Sequence, residues 1–251
     1  MVSGKIGFLH LEEKDCAAPV RALKEKIDGL CSKENTVIVL LEAFNFGADY
    51  MEHFRSPHEK RRLSMPFDGA CSELMGLTDT YQLTFIAGLM RDQPDGKRRC
   101  SSAYVIEPHS APRLICNKMT DDGSGEYDPL GIVPVNRPPW RNPVLLGNSF
   151  LGILICSDGL TEETSEYRKH ILRRMSEHKD SHELFICYLT RGNFGIPKNP
   201  HVLKRDGLSH VYYGQSNAGN GHNSMIIRLA ETSCECIDRR DDTGIVWYPK
   251  A

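Results

Sequence analysis

The stretch that most restricts how this chain folds is Phe150-Leu151-Gly152-Ile153-Leu154-Ile155-Cys156-Ser157-Asp158-Gly159. A run of apolar residues without alternation reads as a strand buried on both faces. Ser-Asp-Gly ends it as a turn, and a helical stretch is expected over 161–177. A cysteine where a buried strand becomes a turn is held rigidly below and open above. Such a turn exposes the sulfur and offers backbone N–H groups to an oxyanion, which suits a nucleophile. The competing reading is an inert buried cysteine, since cysteine is among the most buried residue types.

The rest of the chain supplies partners for that strand. Lys5 to Leu11 reads as a first strand. Val20, Leu23, Ile27 and Leu30 have the spacing of an amphipathic helix over 17–30. Thr36 to Leu41 (TVIVLL) is a second buried strand, rich in β-branched residues. Strand, helix, strand suggests a βαβ unit with parallel pairing. Further strands are expected over 83–89, 100–106, 113–119, 183–189 and 224–229, with a short one at Val211-Tyr212-Tyr213 and a helix over 71–81. The third and fourth strands flank Asp92-Gln93-Pro94-Asp95-Gly96 and form an antiparallel hairpin. Gly214 to Asn223 reads as a loop, and the chain from Glu231 as a polar tail. Residues 121–141 show no periodicity and many Gly and Pro; loops this long inside a compact domain tend to be functional. No linker divides the chain, so one domain over 1–251 is expected.

Composition excludes several function classes. The 251 residues carry a net charge of −2, which gives no support to a nucleic-acid or membrane surface. Lys60-Arg61-Arg62 and Lys97-Arg98-Arg99 read as solvated clusters. The apolar runs reach about seven residues, well short of the ~20 that cross a bilayer, and the first residues lack a signal peptide's apolar region. Nine cysteines at irregular spacing point to reduced, cytoplasmic usage rather than a disulfide framework. Cys234-Glu235-Cys236 has no companion ligand motif, so no metal site is assigned. Gly214-Gln215-Ser216-Asn217-Ala218 nearly matches a serine elbow but lacks its final glycine. No P-loop or GxGxxG occurs.

Three polar groups stand at the ends of buried strands: Glu42, Lys118 and Cys156. Glu42 alone is either a solvated strand end or a placed acid/base group. In an α/β sheet such ends cluster at one edge, where sites form. Together the three make a chemical set. A carboxylate takes a thiol proton and later activates water. An ammonium favours the thiolate and stabilises an oxyanion. The thiolate attacks a carbonyl or nitrile carbon.

This set resembles the Glu–Lys–Cys triad of the nitrilase, or carbon–nitrogen hydrolase, superfamily. KIGFLHL looks like that family's opening strand, VIVLLEAF over 37–44 like its glutamate strand, ICNK over 115–118 like its lysine strand and GILICSDG over 152–159 like its nucleophile strand and elbow. Glu126 falls where amidases of the family carry a further active-site glutamate, and Glu163 where a structural glutamate is common. Ser216-Asn217 through Gly221 to Ser224 resembles the family's Asn…Gly-x-Ser segment. The likeness runs over about residues 5–230. It departs where Leu41 replaces a usual proline, where Leu160 replaces a common arginine, and between Leu189 and Val211. Cys-x-Asp-Gly looks more like the amidase branch than the Cys-Trp-Glu of true nitrilases.

The resemblance implies a four-layer α-β-β-α sandwich. It implies a cysteine hydrolase that cleaves a small carboxamide through a thioester, with Glu42 as base and with Lys118 and the Ser157 backbone N–H at the oxyanion. Glu126 orients substrate or moves a proton. No cofactor or metal is implied; a homodimer, or association with a larger protein, is expected from pairing in the family. The alternative is a sensing or interaction module, as one domain of a larger protein, that binds a small molecule without turnover; the compact region after Leu189 and the missing arginine favour it, and the intact Glu–Lys–Cys set argues against it. A glutaminase feeding ammonia to a partner would need a second active site, and none is visible.

Overall fold

The long apolar runs become strands because burial on both faces leaves the backbone only sheet hydrogen bonds. The computed structural model describes residues 5–28, 30, 36–45, 65–92, 99–119, 141–147, 149–159, 165–178, 182–190, 211–218, 224–229 and 234–248. In the first half lie β1 (Ile6–Leu11), α1 (Pro19–Ile27), β2 (Val37–Val39), α2 (Phe67–Tyr81), β3 (Thr84–Asp92), β4 (Arg99–Ile106) and β5 (Arg113–Asn117). After these come β6 (Val144–Leu146), β7 (Ser149–Ile155), α3 (Ser165–Ser176), β8 (Glu183–Leu189), β9 (Val211–Ala218), β10 (Ser224–Leu229), β11 (Cys234–Arg240) and β12 (Gly244–Tyr248).

Strand order runs β5-β4-β3-β2-β1-β9-β8-β7-β6. β1, β2 and β3 are parallel, and β3, β4 and β5 form antiparallel hairpins. β7, β8 and β9 are parallel, with β6 and β10 antiparallel at the two sides. The halves join where His10 and Leu11 pair with Asn217 and Ala218. Three separate apolar layers show how the sheet folds on itself. One, with Leu23, Leu74, Phe85 and Leu89, lies between the first sheet and helices α1 and α2. The second, with Phe8, Val39, Ile115, Leu151, Ile153 and Phe185, lies between the two sheets. The third, with Leu154, Ile171, Met175 and Tyr213, lies under α3. Three cores between four layers make the expected α-β-β-α sandwich.

Two hydroxyls sew the sheets together. Ser216 on β9 donates to the Val39 carbonyl at 2.8 Å, and Ser224 on β10 donates to the Leu9 carbonyl at 2.9 Å. Ser224 also accepts the Asn217 N–H at 2.8 Å. Ser216 is therefore a buried strand residue bound to backbone, which removes the serine-elbow reading.

Several expectations are corrected. α2 begins at Phe67, one turn before the expected Cys71, and stops where Gln82 takes a left-handed φ of 50°. β2 is shorter than expected, with Leu40 and Leu41 buried beyond its end. The expected loop from Gly214 is strand as far as Ala218. Its glycine serves close approach, because a Cβ there would lie 1.9 Å from the Phe8 ring. The polar tail holds β11 and β12. β12 pairs antiparallel with β1, and β11 pairs only with β10 among the described residues, leaving Glu235, Cys236 and Arg239 exposed, so its edge position hides its strand character. The region 190–210, apart from Thr190, and residues 160–164, which hold Leu160 and Glu163, lie outside the described residues.

Gly214→Ala is expected to destabilise the fold by about 1–3 kcal/mol through overpacking against Phe8. Urea unfolding checks it; an unchanged midpoint would refute the close approach.

Candidate active site

Glu42 and Lys118 meet in a buried ion pair. Lys118 Nζ lies 3.1 Å from Glu42 Oε1, and both side chains are 2% exposed. Desolvating two charges is costly unless their geometry is well supported, so the surroundings of the pair carry the argument.

Glu42 begins a turn just beyond β2, and the next residue, Ala43, has φ 50°. The turn is laid directly on β3. Gly88 N–H donates to the Leu41 carbonyl at 3.1 Å, and Phe44 N–H donates to the Gly88 carbonyl at 2.7 Å. A Cβ on Gly88 would lie 2.5 Å from the Leu41 oxygen and 2.7 Å from the Glu42 Cα. Only glycine admits this contact. Asn45 closes the turn. Its amide donates to the Met90 carbonyl at 3.0 Å and to the Met65 carbonyl at 3.1 Å, while its Oδ1 accepts the Met90 N–H at 2.8 Å.

Lys118 follows β5, and its N–H donates to the Ser101 carbonyl at 2.8 Å. The Ser101 hydroxyl points to Glu42 Oε1 at 3.4 Å. One β4 residue thus supports both members of the pair. Sequence reasoning missed Ser101; its signal is a polar residue inside the buried strand run CSSAYVI.

Cys156 is the first residue of a 3-10 turn, Cys156–Gly159, directly after β7. Its φ of 46° is a left-handed conformation, costly for a residue with a Cβ and typical of functional turns. Asp158 locks this turn to the lysine strand: both its carboxylate oxygens accept the Met119 N–H, at 3.0 and 3.1 Å. From behind, buried Arg168 on α3 donates to the Asp158 backbone carbonyl at 3.4 Å. β7 itself is held by Asn142, which donates to the Ile153 carbonyl at 2.7 Å and accepts the Ile153 N–H at 2.9 Å. Burial pushes the Tyr188 phenol on β8 well above its ordinary pKa; the charges of Cys156, Glu42 and Asp158 push the same way, and Lys118 opposes them.

The structure therefore joins Glu42 to Lys118 directly and ties the turn that opens with Cys156 and Ser157 to Met119, the residue after Lys118, through Asp158. Glu126 lies outside the described residues, as do the histidines of 51–60. Burial, then the Asp68 charge, pushes the Cys71 thiol up to about 11. Burial pushes Cys116 and Cys187 further in the same direction. In all three, burial disfavours the thiolate. Among the described residues no group of His, Cys, Asp and Glu is arranged to hold a metal, and no helix is long and apolar enough to cross a membrane.

Solved structures share this architecture. The match to a carbon–nitrogen hydrolase from Helicobacter pylori has a TM-score of 0.67 at 14% identity, over 97% of this chain and 88% of that one. The fold is that of the nitrilase superfamily. A CN-hydrolase superfamily protein from Xanthomonas campestris, with an arsenic adduct in its active site, matches with a TM-score of 0.68 at 9% identity, over 98% and 90% of the two chains. The amidase of Nesterenkonia sp. AN1, as a glutamate-to-leucine mutant, carries the acetamide moiety of fluoroacetamide on its active-site cysteine. It matches the nitrilase-fold chain with a TM-score of 0.60 at 15% identity, over 97% and 89%. No family model and no curated protein matches the chain in sequence.

Gly88→Ala is expected to leave a folded protein, to cost about 1–3 kcal/mol by overpacking and to displace the Glu42 turn. The check is a crystal structure of the variant. A Glu42–Lys118 distance still at its original value would show that the glycine does not position the glutamate.

Proposed function

We propose that this nitrilase-fold chain is a hydrolase of carbon–nitrogen bonds, acting on small carboxamides through a Cys156 thioester. The observation that carries the proposal is the buried Glu42–Lys118 ion pair, tied through Met119 and Asp158 to the left-handed turn at Cys156. A carboxylate, an ammonium and a strained thiol at converging strand ends suit acyl transfer. The covalent acetamide adduct on the active-site cysteine of the Nesterenkonia amidase supports the same chemistry for this fold.

Each step has an assigned group. Glu42 accepts the Cys156 proton, and the sulfur adds to the amide carbon. The carbonyl electron pair moves to oxygen, where Lys118 and the Ser157 backbone N–H hold the oxyanion. As the carbonyl re-forms, the C–N bond breaks and the nitrogen leaves as ammonia with the proton from Glu42. Glu42 then takes a proton from water, hydroxide adds to the thioester carbon, and collapse expels the Cys156 sulfur, which recovers a proton from Glu42. The acid departs. Glu126 is assigned to substrate orientation or to sharing proton transfer, since two carboxyl groups near one thiol divide acid and base duty. Cys156-Ser157-Asp158-Gly159, in place of Cys-Trp-Glu, favours an amide over a nitrile.

The test is a panel of short amides, N-carbamoyl compounds and nitriles, with ammonia measured and with hydroxylamine added to trap the thioester. Wild type is expected to release ammonia from a small amide and to form the hydroxamate. Cys156→Ala is expected to do neither, and Glu42→Gln to accumulate no thioester. Turnover of nitriles alone would refute the amidase reading, and rapid acylation of Glu42→Gln would refute the base. An unreactive Cys156 with no turnover would leave a binding module.

A further inference from the structure

The outer face of the first sheet holds a cavity of about 600 Å³, lined by α2 from Phe67 to Asp79, by Arg91 on β3, Tyr104 on β4 and Leu114 on β5. That is the size of a site for a small organic ligand. The cavity lies apart from the candidate active site. Tyr104 and Leu114 pack with the core under α1 and α2, whereas Ala103, Val105 and Ile115 face the core between the sheets. Ser101, in step with Ala103 on β4, points to Glu42 from that inner side.

The two ends of the cavity differ in charge. Asn45 fixes one of them. Its amide donates to the Met65 carbonyl at 3.1 Å and to the Met90 carbonyl at 3.0 Å, so the first turn of α2 stands beside the end of β3. Asp68 and Arg91, one from each element, line the cavity there. They form no ion pair with each other, and neither side chain has another partner among the described residues. At the far end Asp79 is already engaged: it accepts the His109 N–H at 2.7 Å and lies 3.2 Å from His109 Nδ1.

The wall between the ends is apolar. The Phe67 and Tyr104 rings lie 5.1 Å apart, with Met75 and Leu114 further along. Burial pushes the Tyr104 phenol up to about 12 and the Cys71 thiol up to about 11, so neither adds a charge at neutral pH. The Tyr104 hydroxyl is buried without a hydrogen-bond partner among the described residues, a third polar group of this wall left unmatched. α2 also keeps the wall open at Gly76. Glycine inside a helix is unfavourable, and a Cβ here would meet nothing within 4 Å, so no close contact requires it.

We infer that this cavity is a binding site for a zwitterionic amino acid with an apolar side chain. Arg91 takes its carboxylate, Asp68 takes its ammonium, and the side chain runs along the apolar wall toward Met75 and Leu114. Opposite charges that line one cavity without pairing are complementary to a ligand that carries both signs on neighbouring atoms. A simple acid would meet the Asp68 charge uncompensated, and a simple amine the Arg91 charge. No bond is made or broken, and the site does not depend on any chemistry at Cys156.

The test is isothermal titration of the protein with L-phenylalanine, phenylacetate and phenethylamine. L-Phenylalanine is expected to bind about 10-fold more tightly than either single-charge analogue, the scale of one charge-assisted hydrogen bond. Arg91→Gln and Asp68→Asn should each weaken L-phenylalanine by about 10-fold, with folding checked by a melting curve. Gly76→Phe places a ring in open space on the cavity wall and is expected to fold and to abolish binding. If either charge variant fails to fold, Gly76→Phe and the analogue series decide the inference. L-Phenylalanine binding no tighter than phenylacetate, binding of none of the three compounds, or an affinity for L-phenylalanine that the folded variants leave unchanged would each overturn it.

Discussion

The structure depends on one electrostatic contact, the 3.1 Å pair between Lys118 and Glu42 in a region closed to water. Neither charge is tolerable there alone, since an unpaired buried ion costs several kcal/mol. Each must be delivered by a backbone that cannot drift. Gly88 lets the Glu42 turn lie on β3, Asn45 locks that turn to Met90, and Ser101 touches both partners through its carbonyl and its hydroxyl. The polar atoms around the pair are thus organised by neighbouring strands, and a change in strand register would separate them.

The strands are in turn fixed by three apolar layers and by hydroxyls that cross between sheets. Close-packed interiors transmit small shifts rather than absorb them. This suits a site assembled from two sheets: Glu42 and Lys118 belong to the first, Cys156 to the second. The joint lies close to the site, where Ser216 reaches the Val39 carbonyl three residues before Glu42. Two of the left-handed non-glycine residues, Ala43 and Cys156, occur at the ends of the glutamate and cysteine strands. Each such residue costs about 1–3 kcal/mol, and the surrounding hydrogen bonds hold both in place. Left-handed residues at these two strand ends suit groups held rigidly in place.

Much of this was legible in the sequence. Unbroken apolar runs marked β7 and β8, and the helical spacing of Leu23 and Ile27 marked α1. The strand-end positions of Glu42 and Lys118 marked the pair that the fold brings together, and that of Cys156 marked a turn tied to Met119 through Asp158. What the sequence hid follows a physical pattern. β9 was cut short because Gly214 carries the composition of a turn, whereas its missing side chain makes room for Phe8. β11 was read as tail because an edge strand keeps one polar side. Asp158 looked like a turn former, yet its carboxylate ties the elbow to Met119. Ser101 looked like an ordinary strand residue, because periodicity reports burial and not which polar atom faces a charge. Those roles depend on contacts between distant segments, which no local pattern encodes.

The most direct test of the account is a stability cycle on the pair itself: urea unfolding of Lys118→Met, Glu42→Gln and the double variant. Lys118→Met strands a buried carboxylate and is expected to lose about 3–5 kcal/mol. The double variant, with both charges removed, is expected to recover most of that loss. Additive losses in the double variant, or a Lys118→Met protein as stable as wild type, would contradict a coupled buried pair at the centre of the site.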